Sequence, residues 1–211
     1  MEYKKIKLNV GFEEKDLAKS EGARWDNKNK CWYFLYPNTF EKFSKWLPYS
    51  QYIATDRLVL VEFLVDCYKC KSKTRYCALY IEGGIFGLDF YSNDSNALIS
   101  IVDGLPQKFY DYLQQKYTYK EVYNNTKKQK TFEFCCDKCG ATIGAYHSIY
   151  DLTAKTDLIF KINRNETKNY LVLSEYAPQL SVPEIYAHDA IFITQYCSVD
   201  NIQIDGPDIE V

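Results

Sequence analysis

Four cysteines in two short pairs carry the clearest chemistry of the sequence, Cys67-Tyr-Lys-Cys70 and Cys136-Asp-Lys-Cys139. A Cys-x-x-Cys turn lets two sulfurs face one ion, and two such turns supply a tetrahedron of thiolates about 2.3 Å from a Zn2+. The 65 residues between Cys70 and Cys136 exceed the usual spacing of a zinc ribbon. They must therefore form a structured excursion whose ends return to the metal, at a closure cost that grows only with the logarithm of length. The spacing predicts a structural zinc ion held by Cys67, Cys70, Cys136 and Cys139. Cys135 is an alternative to Cys136, and the tighter turn followed by Gly140 favours Cys136. A redox role would want a single pair in a βαβ setting, whereas both pairs here lie in β-like surroundings. Cys31, Cys77 and Cys197 stand alone among apolar or aromatic residues, where a free cysteine packs as a small hydrophobe. His147 is a reserve ligand read as structural.

Other chemistry is sparse. Neither histidine, His147 or His188, sits in a deaminase-like HxE or a metalloprotease-like HExxH pattern, and no phosphate-cradling glycine loop is present. A zinc ion filled by four thiolates offers no position for water. The protein is expected not to be an enzyme and to take no small-molecule substrate. No apolar run reaches the roughly 20 residues of a membrane span, and the start, MEYKKIKLNV, lacks the apolar stretch of a signal peptide. A cytoplasmic protein is expected, in which eight cysteines point to metal or free thiols before disulfides.

Charge is near balance at −2, so no global field marks a nucleic-acid binder. Its distribution is uneven. Residues 1–50 carry ten Lys and Arg against seven Asp and Glu, whereas seven acids and no Lys or Arg follow Lys168.

The elements that must position these residues form an α+β chain in two parts: 1–50, a small β-α-β-β-α domain, and 51–211, a β-rich, zinc-ribbon-like domain with one inserted helix. Ile6, Leu8 and Val10 alternate as in a strand with one buried face. A short helix follows from about Glu13, with Leu17 and Ala18 on its apolar face and Gly22 at a left-handed stop. The stretch 22–34, GARWDNKNKCWYF, reads as a hairpin in which Ala23, Trp25, Trp32 and Phe34 share a face. A second helix is expected from the cap Thr39, burying Phe40, Phe43, Trp46 and Leu47. Large aromatics suit so small a core, so Trp25 and Trp32 are read as buried. Arg24, Lys28 and Lys30 point outward or sit in the turn, where they are the candidate nucleic-acid contacts.

Residues 48–56 read as a connection, and 58–65 as a strand leading into Cys67. The stretch YCALYIEGGIFGLDFY reads as two strands around a Gly83-Gly84 turn, 105–116 as a helix with Phe109 and Leu113 on one face, and 117–123 as a strand. NNTKKQKTF is expected as a basic loop. Further strands are expected at 158–162, 170–173 and 191–196, and the terminal IDGPDIEV is expected to fray.

The string LNVGFEEKDLAKSEGARWDNKNKCWYF resembles the N-terminal signature of a bacterial family of unknown function, roughly LNVPFxEKxxAKxxGAxWDxxxKxWY, over about residues 6–47. Gly11 stands where that family usually has proline, and Tyr36 and Pro37 make a less typical hairpin exit. The domain occurs on plasmid DNA primases and other DNA-processing proteins. A hydrophobic-Asp, basic, Trp pattern is similar to the DNA-binding domain of annealing helicases. FEFCCDKCGATIGAYHSIYD resembles a zinc module attached to the same N-terminal domain, keeping Phe134, Cys136, Cys139, Gly140 and Gly144. These resemblances imply a nucleic-acid-binding accessory protein whose partner is DNA or RNA. The near-neutral charge and acidic tail favour the alternative, an adaptor or regulator that docks another protein through an aromatic-rich sheet surface or its C-terminal tail.

Overall fold

The computed structural model describes residues 4–36, 40–47, 51–86, 95–101, 105–125, 128–144, 168–177, 179–181, 191–192 and 208–210. Strands dominate, helices are short, and the sheets are open. Both α+β and β-rich describe this composition.

The N-terminal part is a three-stranded antiparallel sheet in the order β1 (Lys4–Leu8), β3 (Cys31–Tyr36), β2 (Arg24–Asp26). Between β1 and β2 run a 3-10 turn, Phe12–Glu14, and helix α1, Lys15–Ser20. Gly22 ends the helix at φ 104° as the sequence predicts. Its N–H donates to Lys19 O (3.1 Å) and that of Ala23 to Ala18 O (2.9 Å), which satisfies two orphan carbonyls in a Schellman pattern. The second helix, Phe40–Trp46, is 3-10 rather than α. Its aromatics recur at 40, 43 and 46, the three-residue period of that geometry. Phe43, Trp46 and Leu47 are buried with Ile6, Leu8, Ala18, Ala23 and Phe34. The rings of Phe43 and Phe34 stack at 4.5 Å. Thr39 lies outside the described residues.

Two expectations for this core fail. Leu17 is 46% exposed and Trp25 is 45% exposed, while Trp32 is half-buried. Trp25 does share the apolar face, opposite Trp32 in register. It is on β2, however, at the edge of the sheet, where its ring covers Trp32 edge-on (5.5 Å) with solvent on its other side.

The second part is built on β4 (Gln51–Asp66) and β5 (Lys73–Phe86), a long antiparallel hairpin that turns at the first cysteine pair. The supposed connection at 51–56 is therefore strand, paired to β5 and to β10 (Gln179–Ser181). Nor is Gly83-Gly84 a turn. β5 passes straight through it, pairing with β4 on one side and β6 (Ser95–Ser100) on the other, and both registers shift there. Glycine inside a strand commonly marks such a bulge. Among the described residues the sheet has seven strands, completed by β9 (Lys168–Leu173), β11 (Ile191–Phe192) and β12 (Ile209–Glu210), in the order β11-β6-β5-β4-β9-β12 with β10 against β4. Ile209 does not fray. It pairs with Val172 in parallel and is buried, because an apolar residue among acids gains most by covering the sheet edge. The strand expected at 158–162 lies outside the described residues, as do Cys197, His147 and His188.

Helix α2 (Gln107–Lys116) has Pro106 at its N-cap and buries Phe109 and Leu113 completely in the main core. It feeds a separate ribbon, β7 (Tyr119–Asn124) with β8 (Gln129–Phe134). The expected basic loop thus shrinks to a hairpin turn, of which residues 126–127 lie outside the described residues. Among the described residues, no helix is long and apolar enough to cross a membrane.

Candidate metal centre

The two cysteine pairs occupy turns of the same construction. In the first, Cys67 N–H donates to Ser72 O (2.9 Å), Lys71 N–H donates to Cys67 O (2.9 Å), and Lys71 has φ 59°. In the second, Cys136 N–H donates to Ala141 O (2.8 Å), Gly140 N–H donates to Cys136 O (2.9 Å), and Gly140 has φ 69°. Each turn needs a left-handed residue just after its second cysteine. Glycine fills that place without strain in one, and lysine accepts it in the other.

The first turn closes β4 onto β5, and the second follows β8. The 65-residue excursion returns because α2 and β7–β8 pack back on the main sheet. Phe134 meets Tyr76 of β5 at 4.9 Å between ring centroids. Tyr117, just after α2, donates its hydroxyl to Glu62 (2.7 Å) beneath the guanidinium of Arg75 (5.3 Å). Asp137, inside the second turn, is tied to β5 directly. Its N–H donates to Thr74 Oγ1 (2.9 Å), and its carboxylate accepts from Thr118 Oγ1 (2.6 Å) and pairs with Arg75 (3.5 Å).

The result brings the sulfurs of Cys67, Cys70, Cys136 and Cys139 all within 4.8 Å of one another. Cys67 and Cys139 Sγ are 3.6 Å apart, as are those of Cys70 and Cys136. These separations far exceed a disulfide bond of about 2.05 Å. The edge of about 3.8 Å that a tetrahedron of 2.3 Å metal–sulfur bonds requires lies between these separations and the 4.8 Å limit. Four cysteines this close can hold one metal ion. Cys135 is not among them. It is buried, with its thiol toward Glu133 O (3.8 Å), so the tighter pair is the one that converges. Cys77 is buried away from the cluster, and burial pushes its thiol well above the usual range.

The four thiols are not equivalent. Ser72 Oγ lies 2.9 Å from Cys70 Sγ and 3.4 Å from Cys136 Sγ, so one hydroxyl touches a sulfur from each turn. That hydroxyl, then the backbone N–H of Cys139, brings the Cys136 thiol down to about 6. The same hydroxyl lowers Cys70. Cys139 accepts from the Ala141 backbone N–H, yet burial and the neighbouring sulfurs outweigh that bond and push it up to about 11. Like groups this close ionise together only beside a cation, and a divalent ion supplies that charge. Sequence reading missed Ser72; its signal was a hydroxyl two residues after a Cys-x-x-Cys pair. Ala141 stands at the equivalent place in the second turn and supports the same backbone bonds, so the hydroxyl is not required to form the turn. Ser72→Ala is expected to weaken metal affinity about tenfold, as loss of an outer hydrogen bond to a ligand does. Chelator competition measures this, and Ser72→Thr should restore the loss.

Arg24, Lys28 and Lys30 are exposed, and the structure leaves them at a distance in sequence and sheet from the cysteines. Arg24 is on β2. Lys28 and Lys30 are in the turn that Asp26 organises by accepting from Lys28 N–H (2.8 Å), Asn29 N–H (3.0 Å) and Asn29 Nδ2 (3.1 Å). Lys30 takes a left-handed conformation, φ 51°.

Residues 5–48 match the model of a domain of unknown function, DUF5710. No curated protein and no solved structure matches the chain. The DUF5710 segment covers the three-stranded sheet with its helices and stops short of both cysteine pairs. The metal centre thus belongs to the part of the chain outside the match.

Proposed function

We propose that this is a non-catalytic zinc-binding protein whose four-thiolate centre is structural, and that its N-terminal part contacts nucleic acid. The convergence of four sulfurs from two like turns carries the first half. A soft tetrahedral S4 set suits zinc, and with every position filled by protein the ion has no site for water or substrate. Elemental analysis of purified protein tests it. About one zinc per chain is expected, and a metal-free protein, or iron with sulfide in its place, overturns the reading.

The second half rests on an exposed aromatic and exposed cations carried by β2 and the turn that follows it. Trp25 presents nearly half its surface on one face of β2, Arg24 is exposed on the other, and the turn beyond carries Lys28 and Lys30. A base can stack on such a ring while the cations meet phosphates. The variant Arg24→Ala, Lys28→Ala, Lys30→Asn, with asparagine chosen for the left-handed position, is expected to lose binding to single-stranded or forked DNA. The melting temperature should not change. Wild-type affinity should fall steeply with salt, and each lost phosphate contact should reduce the logarithmic slope by about 0.7 on a single strand. Salt-independent binding, or none at low salt, speaks against this half and for the adaptor reading. That reading is supported by the β1 edge of the three-stranded sheet, along which the extended segment at Tyr176 and Ala177 lies.

A further inference from the structure

The three-stranded sheet does not stop at β1. Residues 175–177 and 179, far downstream of the DUF5710 segment, lie along its edge. Tyr176 bridges Lys5 in parallel, Ala177 N–H donates to Lys5 O (2.7 Å), and Gln179 Nε2 donates to Lys7 O (2.6 Å). The side chains are read as closely as the backbone. Glu175 pairs with Lys5 Nζ. Tyr176 meets Tyr33 edge-on, with centroids 6.1 Å apart and planes at 86°, and Lys5 Nζ sits 5.2 Å and 5.5 Å from the two rings. The Tyr176 hydroxyl crosses the sheet to donate to the Asp26 carboxylate and accepts from the Cys31 thiol (3.6 Å). Ala177 is buried with Ile6, Leu8 and Phe34.

Most of this slot exists without its occupant. The turn after β2 already aims the Asp26 carboxylate through its three other hydrogen bonds, and Cys31 and Tyr33 are fixed by β3. An unfilled β1 edge would present bare N–H and C=O groups, the template on which extended segments add. All the slot residues, Lys5, Lys7, Asp26, Cys31 and Tyr33, fall inside residues 5–48. What fills the slot does not.

We infer that the DUF5710 segment is a strand-accepting module whose β1 edge and Lys5–Asp26–Tyr33 slot recognise an extended peptide of the form acidic–Tyr–small–x–Gln. In this chain residues 175–177 and 179 fill the slot in cis, and a partner protein's segment of the same chemistry replaces them when they leave. The inference does not depend on the metal centre or on nucleic-acid binding.

The test uses the full chain with Glu175→Ala, Tyr176→Ala, Ala177→Pro and Gln179→Ala, which removes each of the occupant's ion-pair, hydroxyl, N–H and amide contacts with the slot and the β1 edge, and a fluorescent synthetic peptide of residues 173–181, LSEYAPQLS. Anisotropy is expected to show saturable binding to this variant and at least tenfold weaker binding to wild type, whose slot is filled. Changing the peptide's tyrosine to phenylalanine removes the hydroxyl that reaches a carboxylate and should weaken binding about tenfold or more. Equal binding to both proteins, no binding to a folded variant, or no effect of that hydroxyl overturns the inference. A single-stranded oligonucleotide that binds the vacated variant better than the peptide does would assign the face to nucleic acid, with the same result. If the variant does not fold, wild type decides: excess unlabelled peptide should speed hydrogen exchange at the Ala177 amide while β3 stays protected, and unchanged exchange at Ala177 refutes the exchangeable slot.

Discussion

Replacing Cys136 with alanine is expected to abolish stoichiometric metal binding and to lower the melting temperature by roughly 10 °C, whereas Cys135→Ala keeps the metal. The two residues are adjacent and both buried, yet only Cys136 has its sulfur in the cluster. Structural zinc binds to four thiolates with an apparent free energy on the order of 10 kcal/mol, comparable to the whole stability of a domain. The full amount will not appear as lost stability. Asp137 still ties the second turn to Thr74 and Arg75 without metal, and the core of β4 and β5, with Leu60, Val61, Ala78 and Leu79 fully buried, supplies none of the four sulfurs. A loss of about 4 kcal/mol corresponds to roughly 8–16 °C for a chain of this size. Thermal melts with metal analysis on the two variants, and on wild type with chelator, check this. Equal metal content in Cys136→Ala and wild type would dismiss the centre.

Phe109→Ala is expected to cost about 3–5 kcal/mol, the usual range for a fully buried phenylalanine, and also to loosen metal binding. Phe109 and Leu113 are the only wholly buried side chains of α2, at 0% exposure each. They hold the helix on the core, and its last turn passes directly to Tyr117, whose N–H donates to Leu113 O (2.9 Å) and whose hydroxyl reaches Glu62. That contact starts the ribbon that delivers Cys136 and Cys139. A cavity under α2 therefore frees the second cysteine turn from the first. The loss should be seen in denaturant unfolding of the metal-free protein and, separately, as weaker metal retention against chelator. Unchanged retention beside the full stability loss would show that the ribbon is placed without α2.

Local patterns were legible where one short stretch decides the outcome. The Cys-x-x-Cys spacing, the left-handed Gly22, the Phe109 and Leu113 stripe and the choice of Cys136 over Cys135 each rest on geometry within a few residues. Outcomes that depend on a distant neighbour were not. Gly83-Gly84 has the composition of a turn and becomes a bulge because β4 and β6 flank it on both sides. Trp25 has the composition of core and stays exposed because, among the described residues, no strand pairs beyond β2.

The sequence by itself determined which residues could ligate metal and which segments prefer strand or helix, since backbone preference and side-chain chemistry act over one or two turns of chain. Only the tertiary structure decided that the four sulfurs meet, that Ser72 touches two of them, and that Tyr176 reaches across 150 residues to Asp26. Such meetings are set by the packing of whole elements, and no local spacing encodes the distance between side chains whose elements are brought together by a shared core.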